Sequence, residues 1–387
     1  MSDFPETLLV HDQPNPWQSV VPPIVQTSLF TFKTVEDMEA RVRGETTRPV
    51  YSRGDNPTVR EFERKLAQLE CADDARAFSS GMGAISAAIL SVVKAGDTVV
   101  CVRHVYPDTY RFMEKLLVRL GVKTRYIDGC DTDTLIAALP GTTLLYLESP
   151  TSWTMETQDL PKLAAAARAQ GVVTIIDNSC ATPINQKPLT HGIDLVVHSA
   201  SKYLSGHSDT VAGVVAGNAQ RMAAINDLSY PYLGAKLSPM EGWLLLRGLR
   251  TLPMRMAWQW ASTQVLLQRL QSHAAVSQVM HPWCQPGPGA ACLTGYSSLF
   301  TLELVAGADM RKFCNTLTLF QLGVSWGGHE SLVVPALVSR AQASGPNSQI
   351  DFGITDRMVR LHVGFENTED LWQDLQNALA AAHPTQP

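Results

Sequence analysis

The 387-residue sequence lacks the features that mark membrane, secreted and nucleic-acid-binding proteins. It has no apolar run of transmembrane length, and its acidic, proline-bearing beginning has neither the basic start nor the apolar middle of a signal peptide. Neither sign of charge dominates: there are 31 lysines and arginines, 36 aspartates and glutamates, and no basic block stands out. We therefore expect a cytoplasmic protein with no nucleic-acid partner and no membrane partner.

Cysteine is scarce and follows no pairing pattern. The seven cysteines are odd in number, scattered along the chain and free of any C-x-x-C spacing. This pattern indicates neither a disulfide framework nor a structural zinc site, and it fits a reducing compartment. We expect no metal site, and we expect most of the cysteines to be buried as small apolar residues.

What the sequence does have is an ordinary globular composition, 45% hydrophobic and 17% charged, long enough for two domains. Residues 1–58 hold many prolines and threonines and little periodicity, and they predict an extended arm that needs another surface to lie on. Residues 59–249 begin with a helix at 59–70, and short apolar runs then alternate with helical stretches. That alternation is typical of a parallel sheet covered by helices on both faces. The apolar runs lie at 97–102, 143–149, 172–178 and 194–200.

The remaining residues, 250–387, follow a different pattern. A helical pattern runs through 247–273, and the segments 297–305 and 358–365 alternate as half-buried strands do. An amphipathic helix follows at 368–382. These elements predict a second, smaller α+β domain.

A lysine stands directly after one of the predicted buried strands, in the stretch "DLVVHSASK" that ends at Lys202. Parallel sheets bind ligands beyond the carboxyl ends of their strands. Asp177 ends the preceding apolar run, and "SSGMG" at 79–83 places a glycine turn before an apolar helix, where backbone N–H groups suit a phosphate. A lysine that condenses with an aldehyde, a carboxylate that keeps a ring nitrogen protonated and a phosphate cradle together indicate pyridoxal 5'-phosphate.

Each of these features also has a simpler interpretation. Lys202 alone is typical of a solvated loop residue, Asp177 could cap a turn, and the glycines could allow close packing. Their conjunction in one α/β domain is what favours the cofactor.

The sequence resembles the Cys/Met-metabolism family of pyridoxal-phosphate enzymes, which includes cystathionine synthases, cystathionine lyases and methionine γ-lyase. The resemblance extends from residue 20 to the C-terminal helix. It implies fold type I, the aspartate aminotransferase-like α/β fold, with a mostly parallel sheet in the large domain and a smaller α+β C-terminal domain. The motifs that carry it are "VVPPIVQTSLFTF" (20–32), "YSRGDNPTVREFE" (51–63), "SSGMGAI" (79–85), "IIDNSCATP" (175–183), "HSASKYLSGHSD" (198–209), "LSPMEGWLLLRGLRTL" (237–252) and "SWGGHESL" (325–332).

The resemblance also implies a role for each matching residue. Lys202 would carry the cofactor, Asp177 would pair with the pyridinium nitrogen, and Tyr106 would stack on the ring. The catalytic residues would be Lys202, Tyr106 and Tyr51. The phosphate would be held by Ser199, Ser201 and the backbone of Gly81 and Met82, together with Tyr51 and Arg53 of a neighbouring subunit. The substrate would be bound by Arg360, which would grip its α-carboxylate, and by Ser325 and Trp326. Without the resemblance, Arg360 would be read as a surface strand residue and Tyr106 as a core aromatic.

Because Tyr51 and Arg53 would act in a neighbouring subunit, the resemblance implies that the active site needs a dimer. In the family two such dimers form a tetramer. The expected partners are thus further copies of this chain and a small amino-acid thioether.

Three positions resemble the Gram-negative cystathionine β-lyases. Ser152 and Trp153 follow "ESP", and Trp326 follows Ser325, where many members carry other residues. Val324 stands where γ-lyases commonly carry glutamate, and with Trp326 it predicts an apolar wall that would strip a distal ammonium of its hydration. Other segments fit less well: "GDNPTVREFE" follows the general family, "VYPDTY" matches neither pattern, and the loop 281–296 is short.

The prediction is a carbon–sulfur β-lyase that acts on cystathionine, in transsulfuration and methionine biosynthesis. One alternative is a cystathionine γ-synthase, a γ-lyase or a homoserine-ester sulfhydrylase. Another is a non-catalytic regulatory protein with the same fold, which the presence of Lys202, Asp177 and Arg360 disfavours.

Overall fold

The computed structural model describes residues 4–12 and 15–383, and within them twelve strands form two sheets. The larger sheet comes from the first part of the chain and the smaller one from the last part. The strands of the larger sheet are β1 (Asp74–Phe78), β2 (Thr98–Val102), β3 (Lys123–Ile127), β4 (Leu144–Glu148), β5 (Val173–Asp177), β6 (Leu195–Ser199) and β7 (Gly213–Gly217). Those of the smaller sheet are β8 (Val276–Met280), β9 (Leu299–Leu304), β10 (Gln321–Leu322), β11 (Leu332–Pro335) and β12 (Met358–His362).

Helices surround both sheets. The helices of the arm and the larger sheet are α1 (Pro5–Val10), α2 (Val35–Val42), α3 (Pro57–Glu70), α4 (Gly81–Leu90), α5 (Pro107–Phe112), α6 (Thr132–Ala137), α7 (Leu160–Ala169), α8 (Thr182–Asn185), α9 (Ala219–Ala224), α10 (Tyr230–Leu233) and α11 (Pro239–Leu249). Those that accompany the smaller sheet are α12 (Leu252–Gln271), α13 (Met310–Thr316), α14 (Ala336–Arg340), α15 (Ser348–Asp351) and α16 (Thr368–Ala382). Short π-helical segments lie at Met113–Leu117 and Ile225–Ser229, and 3₁₀ turns lie at Val118–Leu120, Pro188–His191 and Ala290–Cys292.

The larger sheet has the strand order β1-β7-β6-β5-β4-β2-β3. Strands β2 to β6 pair in parallel, whereas β7 is antiparallel to both of its neighbours. The prediction of a mostly parallel sheet is therefore confirmed. Because parallel strands end at the same edge, β4, β5 and β6 deliver their last residues side by side, which positions the site described below.

Burial explains why the strands of this sheet are so apolar. All five residues of β4 and of β5 are buried, and so are the first four of β6. A strand covered by helices on both faces has no solvent side. Its sequence is therefore a continuous apolar run and not an alternation of apolar and polar residues. Each fully buried Leu, Ile or Val there contributes about 1.5–3 kcal/mol.

The helix predicted across 247–273 is wrong in one respect, because the chain breaks it in two. Helix α11 ends at Leu249 and α12 begins at Leu252, with Pro253 in its first turn. Proline lacks an N–H, and it disfavours helical backbone in the residue before it. It suits the beginning of a helix, so the second helix begins here rather than continuing the first.

Strand β12 also differs from the prediction, because all five of its residues are buried rather than half of them. Val359 and Leu361 pack in an apolar cluster with residues of α12 and α16. On the other face, Arg360 contacts Ser152 of the larger unit. The strand is thus covered on both faces, although its sequence alternates.

The predicted arm, residues 1–58, is not wholly extended: its described part contains α1 and α2. The beginning of the arm is fixed by Lys65, a fully buried residue of α3. Its Nζ donates to three backbone oxygens of residues 8–11, at 2.8 to 3.1 Å, and lies 2.8 Å from the carboxylate of Asp12.

Farther along the arm, apolar side chains face outward. Trp17 is 74% exposed and Val20 is 91% exposed. Such exposure supports the interpretation that this part of the arm lies on another surface. The division of the chain at residues 58 and 249 stays a prediction.

The cysteines are free in the structure. Four of them are buried, namely Cys101, Cys180, Cys292 and Cys314, as expected for small apolar residues. Cys284 is partly buried, and Cys71 and Cys130 are exposed. Among the described residues, no helix combines the length and the apolar character needed to cross a membrane.

Candidate active site

A cavity of about 530 Å³ lies at the carboxyl ends of β4, β5 and β6. It is where the sequence analysis expects a ligand of a parallel sheet. The cavity brings together nine of the predicted site residues: Gly81, Met82, Tyr106, Asp177, Ser199, Ser201, Lys202, Ser325 and Trp326.

A second cavity of about 380 Å³ adjoins the first. The two share Tyr106, Lys202, Ser325 and Trp326, and the second adds Arg360 and Val324. The expected cofactor residues and the expected substrate residues therefore face connected spaces.

Two predicted residues lie elsewhere. Tyr51 and Arg53 line a separate cavity of the same chain, together with Lys236. Tyr51 is half exposed, and the Arg53 guanidinium lies 5.7 Å from its ring. Their role in a neighbouring subunit stays a prediction.

Lys202 follows β6 and points into the cavity. Its Nζ donates to Oγ of Ser325 at 2.7 Å and lies 5.4 Å from the centre of the Trp326 ring. Burial, with a smaller contribution from the positive charge of Arg360, lowers the pKa of Lys202 to about 8, and Asp177 opposes the shift. The amine is therefore neutral in a sizeable fraction of molecules near neutral pH, as a nucleophile or a proton acceptor must be.

Asp177 is the last residue of β5 and is 6% exposed. One carboxylate oxygen accepts a hydrogen bond from the Ser179 backbone N–H at 2.9 Å. Burial raises the pKa of Asp177, while the bonds from Ser179 and the charges of His198 and Lys202 act in the opposite direction. A buried carboxyl at the base of the cavity can pair with a protonated ring nitrogen.

Behind Asp177 lies a buried polar network. The side chains of His198 and Asn178 both contact one oxygen of Glu70, at 2.6 and 3.0 Å. All three residues are almost fully buried. The network fixes the ends of β5 and β6 to helix α3.

The beginning of α4 forms an anion cradle. Ser80 caps the helix, its Oγ accepting from the Gly83 N–H at 2.9 Å, and its backbone oxygen accepts from Ala84. The N–H groups of Gly81 and Met82 precede the first intrahelical bonds and so are free for a ligand. At an apolar helix start, such groups suit a phosphate.

Glycine at position 81 avoids a tight contact with Ser199. A Cβ there would lie 3.0 Å from Oγ of Ser199 and 3.1 Å from its Cβ, tighter than ordinary contact. The Ser201 hydroxyl donates to the backbone oxygen of Ala212 and accepts from its N–H, at 3.2 and 2.9 Å, which fixes its position. The phosphate cradle, the lysine and the carboxyl together fit pyridoxal 5'-phosphate.

Tyr106 precedes α5 and lines both cavities. Its hydroxyl donates to the carboxylate of Asp108 at 2.9 Å, and Asp108 is also bound by Arg111. Burial raises the pKa of Tyr106, and the charge of Asp108 raises it further. The hydroxyl therefore stays protonated over the ordinary range of pH.

Arg360 is a buried residue of β12 and not a surface arginine. Its guanidinium donates to the backbone oxygen and Oγ of Ser152, at 3.1 and 3.2 Å, and to the backbone oxygen of Val324 at 3.4 Å. It lies 5.3 Å from the centre of the Trp153 ring. Ser152, Val324 and Trp153 are neutral, and burial lowers the pKa of Arg360 to about 10, so a carboxylate ligand would supply the counter-charge.

Thr210 and Glu148 are among the residues of this cavity that were not predicted from the sequence. Thr210 lines it, with its hydroxyl 3.0 Å from Asp209. Glu148 lines it as the last residue of β4, and its carboxylate accepts from the Tyr106 N–H at 2.7 Å. The signal for Glu148 was present, because an apolar run that ends in a carboxylate occurs twice, at Glu148 and at Asp177.

Comparison with known proteins identifies a family that uses pyridoxal phosphate. The family model described as Cys/Met metabolism PLP-dependent enzyme matches residues 6–380. The chain is 38% identical to an L-methionine γ-lyase from Pseudomonas putida, over 94% of this chain and 93% of that protein. It is 35% identical to a cystathionine β-lyase from Lactococcus lactis, over 92% and 93%.

A solved structure, the cystathionine γ-synthase of Xanthomonas oryzae in complex with aminoacrylate and cysteine, superimposes with a TM-score of 0.91. It is 32% identical, and the match covers 99% of both chains. The fold type I architecture is thus confirmed. The chain belongs to the Cys/Met metabolism family of pyridoxal-phosphate-dependent enzymes, which makes it an enzyme of carbon–sulfur bond chemistry.

Proposed function

We propose that the protein is a carbon–sulfur β-lyase that converts cystathionine and water to homocysteine, pyruvate and ammonia. The observation that carries the proposal is the position of Val324. Its backbone oxygen accepts from Arg360, and the residue lines the cavity that Arg360 and Lys202 share. A substrate whose α-carboxylate is bound by Arg360 would therefore have a valine, and not a carboxylate, beside it at this position.

The distinction matters because γ-elimination requires further proton transfers at Cβ, which β-elimination does not. A carboxylate beside the distal amine of the substrate would favour the orientation that γ-cleavage needs, and Val324 cannot supply one. Val324 is 80% exposed, so the predicted apolar wall would not strip a distal ammonium of its hydration. An ammonium beside it would keep water, so the preference depends on the absence of a carboxylate at position 324.

The residues of the chain have separable tasks in this reaction. Pyridoxal phosphate, when bound, provides the sink for the electrons left at the substrate Cα. Lys202 takes the α-proton, since its lowered pKa of about 8 leaves part of it uncharged. Ser325 holds the nitrogen of Lys202, Arg360 orients the α-carboxylate, and the β-sulfur leaves as a thiolate while the bond between Cβ and sulfur breaks.

Trp153 and Trp326 help to hold the side chains of Arg360 and Lys202 in the orientation that this reaction needs. The first stacks beside the Arg360 guanidinium, and the second beside Lys202. Their faces attract the two cations and limit their movement.

A second candidate is γ-cleavage of cystathionine or methionine. It is favoured by the 38% identity to a methionine γ-lyase, which slightly exceeds the 35% identity to a β-lyase. A γ-synthase or a sulfhydrylase belongs to the same group of alternatives.

The experiment that separates these candidates is to identify the keto acid released from cystathionine. The purified enzyme should release pyruvate together with homocysteine, and Lys202→Ala should release neither. Val324→Glu should raise the proportion of 2-oxobutyrate, the product of γ-cleavage. Predominance of 2-oxobutyrate with the unmutated enzyme, or release of methanethiol from methionine at a comparable rate, would contradict the β-lyase assignment.

A further inference from the structure

Glu148 is a buried carboxyl group to which the proposed reaction gives no task. It is the last residue of β4, is 6% exposed and lines the same cavity as Asp177. Its partner in the strand register is Asp177, the last residue of β5. Register partners on neighbouring parallel strands lie about 4.8 Å apart and point to the same face, so two carboxyls stand side by side.

Two adjacent buried carboxyls do not both ionise readily. Asp177 is the better placed to carry the charge, because it accepts from the Ser179 N–H and is near both Lys202 and His198. Glu148 has one backbone donor, Tyr106, and the positive charge of Arg360. Burial raises the pKa of Glu148 well above its usual value, and the charge of Asp177 raises it further.

The other titratable groups that face Glu148 do not change this balance. Burial raises the pKa values of Cys101, Tyr146 and Cys180, so all three are neutral near neutral pH. Arg360 is the cation in this set, and it already donates to Ser152 and Val324.

The hydrogen bond from Tyr106 links the end of β4 to the start of α5. Tyr106 occupies the position before the first helical residue, Pro107, and its side chain gives the helix no cap. Its N–H donates to Oε2 of Glu148 at 2.7 Å. The location of the Tyr106 ring over the cavity therefore depends on a strand end as well as on its own helix.

We propose that Glu148 is a positioning residue that, as a neutral carboxylic acid, holds Tyr106 over the cofactor and leaves the negative charge on Asp177. The inference rests on the proposed function and on the cofactor contacts that the family resemblance implies for Tyr106 and Asp177. It does not depend on which carbon–sulfur bond is cleaved.

The test compares Glu148→Gln with Glu148→Met by titrating the cofactor-free protein with pyridoxal phosphate and following its visible absorbance. Glutamine keeps the size and the acceptor oxygen but cannot ionise, so its dissociation constant should stay within about twofold of the native one. Methionine removes the acceptor, and binding should weaken about tenfold. Glu114→Gln is the matched control, because Glu114 also accepts from a tyrosine, Tyr126 at 2.8 Å, but does not line the cavity.

Two results would overturn the inference. If Glu148→Gln weakens binding about tenfold relative to the native protein, Glu148 acts as an anion. If Glu148→Met binds the cofactor as tightly as the native protein, the bond to Tyr106 does not position the ring. Circular dichroism of both variants checks that they fold, and the glutamine comparison remains decisive if the methionine variant does not.

A double-mutant cycle tests whether Glu148 acts through Tyr106. In a Tyr106→Ala background, Glu148→Met should change the dissociation constant less than twofold, because the ring that it positions is gone. An undiminished tenfold effect would show a different role. These experiments measure cofactor binding. Their failure can therefore be distinguished from a failure of the proposed function, which is tested by the keto acid released from cystathionine.

Discussion

The nitrogen of Lys202 lies 2.7 Å from Oγ of Ser325, a residue 123 positions farther along the chain. Lys202 follows a strand of the larger sheet, whereas Ser325 lies between β10 and β11 of the smaller one. The lysine therefore takes its position from both units of the structure. A change in Ser325 should alter how the lysine works without disturbing the cofactor cradle.

Ser325→Ala should lower kcat by about 10- to 100-fold with a smaller effect on KM, because it removes a hydrogen bond to a partly charged group. The measurement is the rate of keto-acid release from cystathionine across substrate concentrations. Ser325→Thr, which keeps the hydroxyl, should retain most of the rate. Ser91→Ala is a suitable control, since the Ser91 hydroxyl bonds a helix carbonyl in the larger unit. Equal rates for the alanine variant and the native enzyme would contradict this role.

The lowered pKa of Lys202 predicts how cofactor uptake depends on pH. Only the uncharged amine attacks an aldehyde, so the rate at which the cofactor-free protein takes up pyridoxal phosphate should rise with pH, with a midpoint of about 8. Because the charge of Arg360 contributes to this lowering, Arg360→Leu should move the midpoint to higher pH. Arg357→Leu, at an exposed position near the start of the same strand, should leave it unchanged.

The same shift has a consequence for the stability of the cofactor-free protein. Between about pH 8 and the ordinary lysine value of 10.5, the unfolded chain binds more protons at position 202 than the folded one does. Raising the pH through this window should therefore favour the folded state, and below it the contribution should be flat. The check is the free energy of unfolding against pH for the native protein and for Lys202→Met. Identical slopes in the two proteins would argue against a lowered pKa.

Arg360→Lys should raise KM for cystathionine about 10- to 100-fold, because an ammonium cannot form the paired hydrogen bonds that a guanidinium forms with a carboxylate. Steady-state kinetics measure this effect. Arg357→Lys should leave KM near the native value, since Arg357 pairs with Glu303 outside the site. An unchanged KM in Arg360→Lys would place the α-carboxylate elsewhere.

The roles of Tyr51 and Arg53 predict complementation between subunits. Both residues lie outside the Lys202 cavity of their own chain, and so each could serve a partner. Arg53→Ala and Lys202→Ala should each be inactive alone, yet an equal mixture that exchanges subunits should recover about a quarter of the native sites. Recovery is measured as keto-acid release after mixing. A fully active monomer in analytical ultracentrifugation would contradict the prediction.

The sequence predicted those parts of the site that depend on local pattern. Asp177 ends a buried strand, Lys202 follows another, and the glycine turn precedes a helix, so their convergence follows from how parallel sheets are built. Glu148 ends an apolar run as Asp177 does, but its pairing with Asp177 depends on the register of β4 and β5, which no local pattern shows. Arg360 could not be placed from its alternating strand, because its burial results from contact with the other unit.

The break between α11 and α12 was not predicted, for a different reason. Pro253 was visible in the sequence, and a helix that contains a proline near its middle is unfavourable by about 3 kcal/mol or more. The apolar periodicity on both sides outweighed that local signal. In the arm, by contrast, α1 spans six residues and α2 eight, so neither gives a long periodic pattern.

The contact between Lys65 and the beginning of the arm affects how two copies of this chain would associate. Because Lys65 fixes residues 8–12 to α3 within a single chain, this part of the arm is ordered before any partner is met. Ordering a segment costs about 1–2 kcal/mol per residue in lost backbone freedom. If a dimer forms through the exposed Trp17 and Val20, fewer residues of the arm lose backbone freedom on association. The arm is thus partly preorganised for dimerisation.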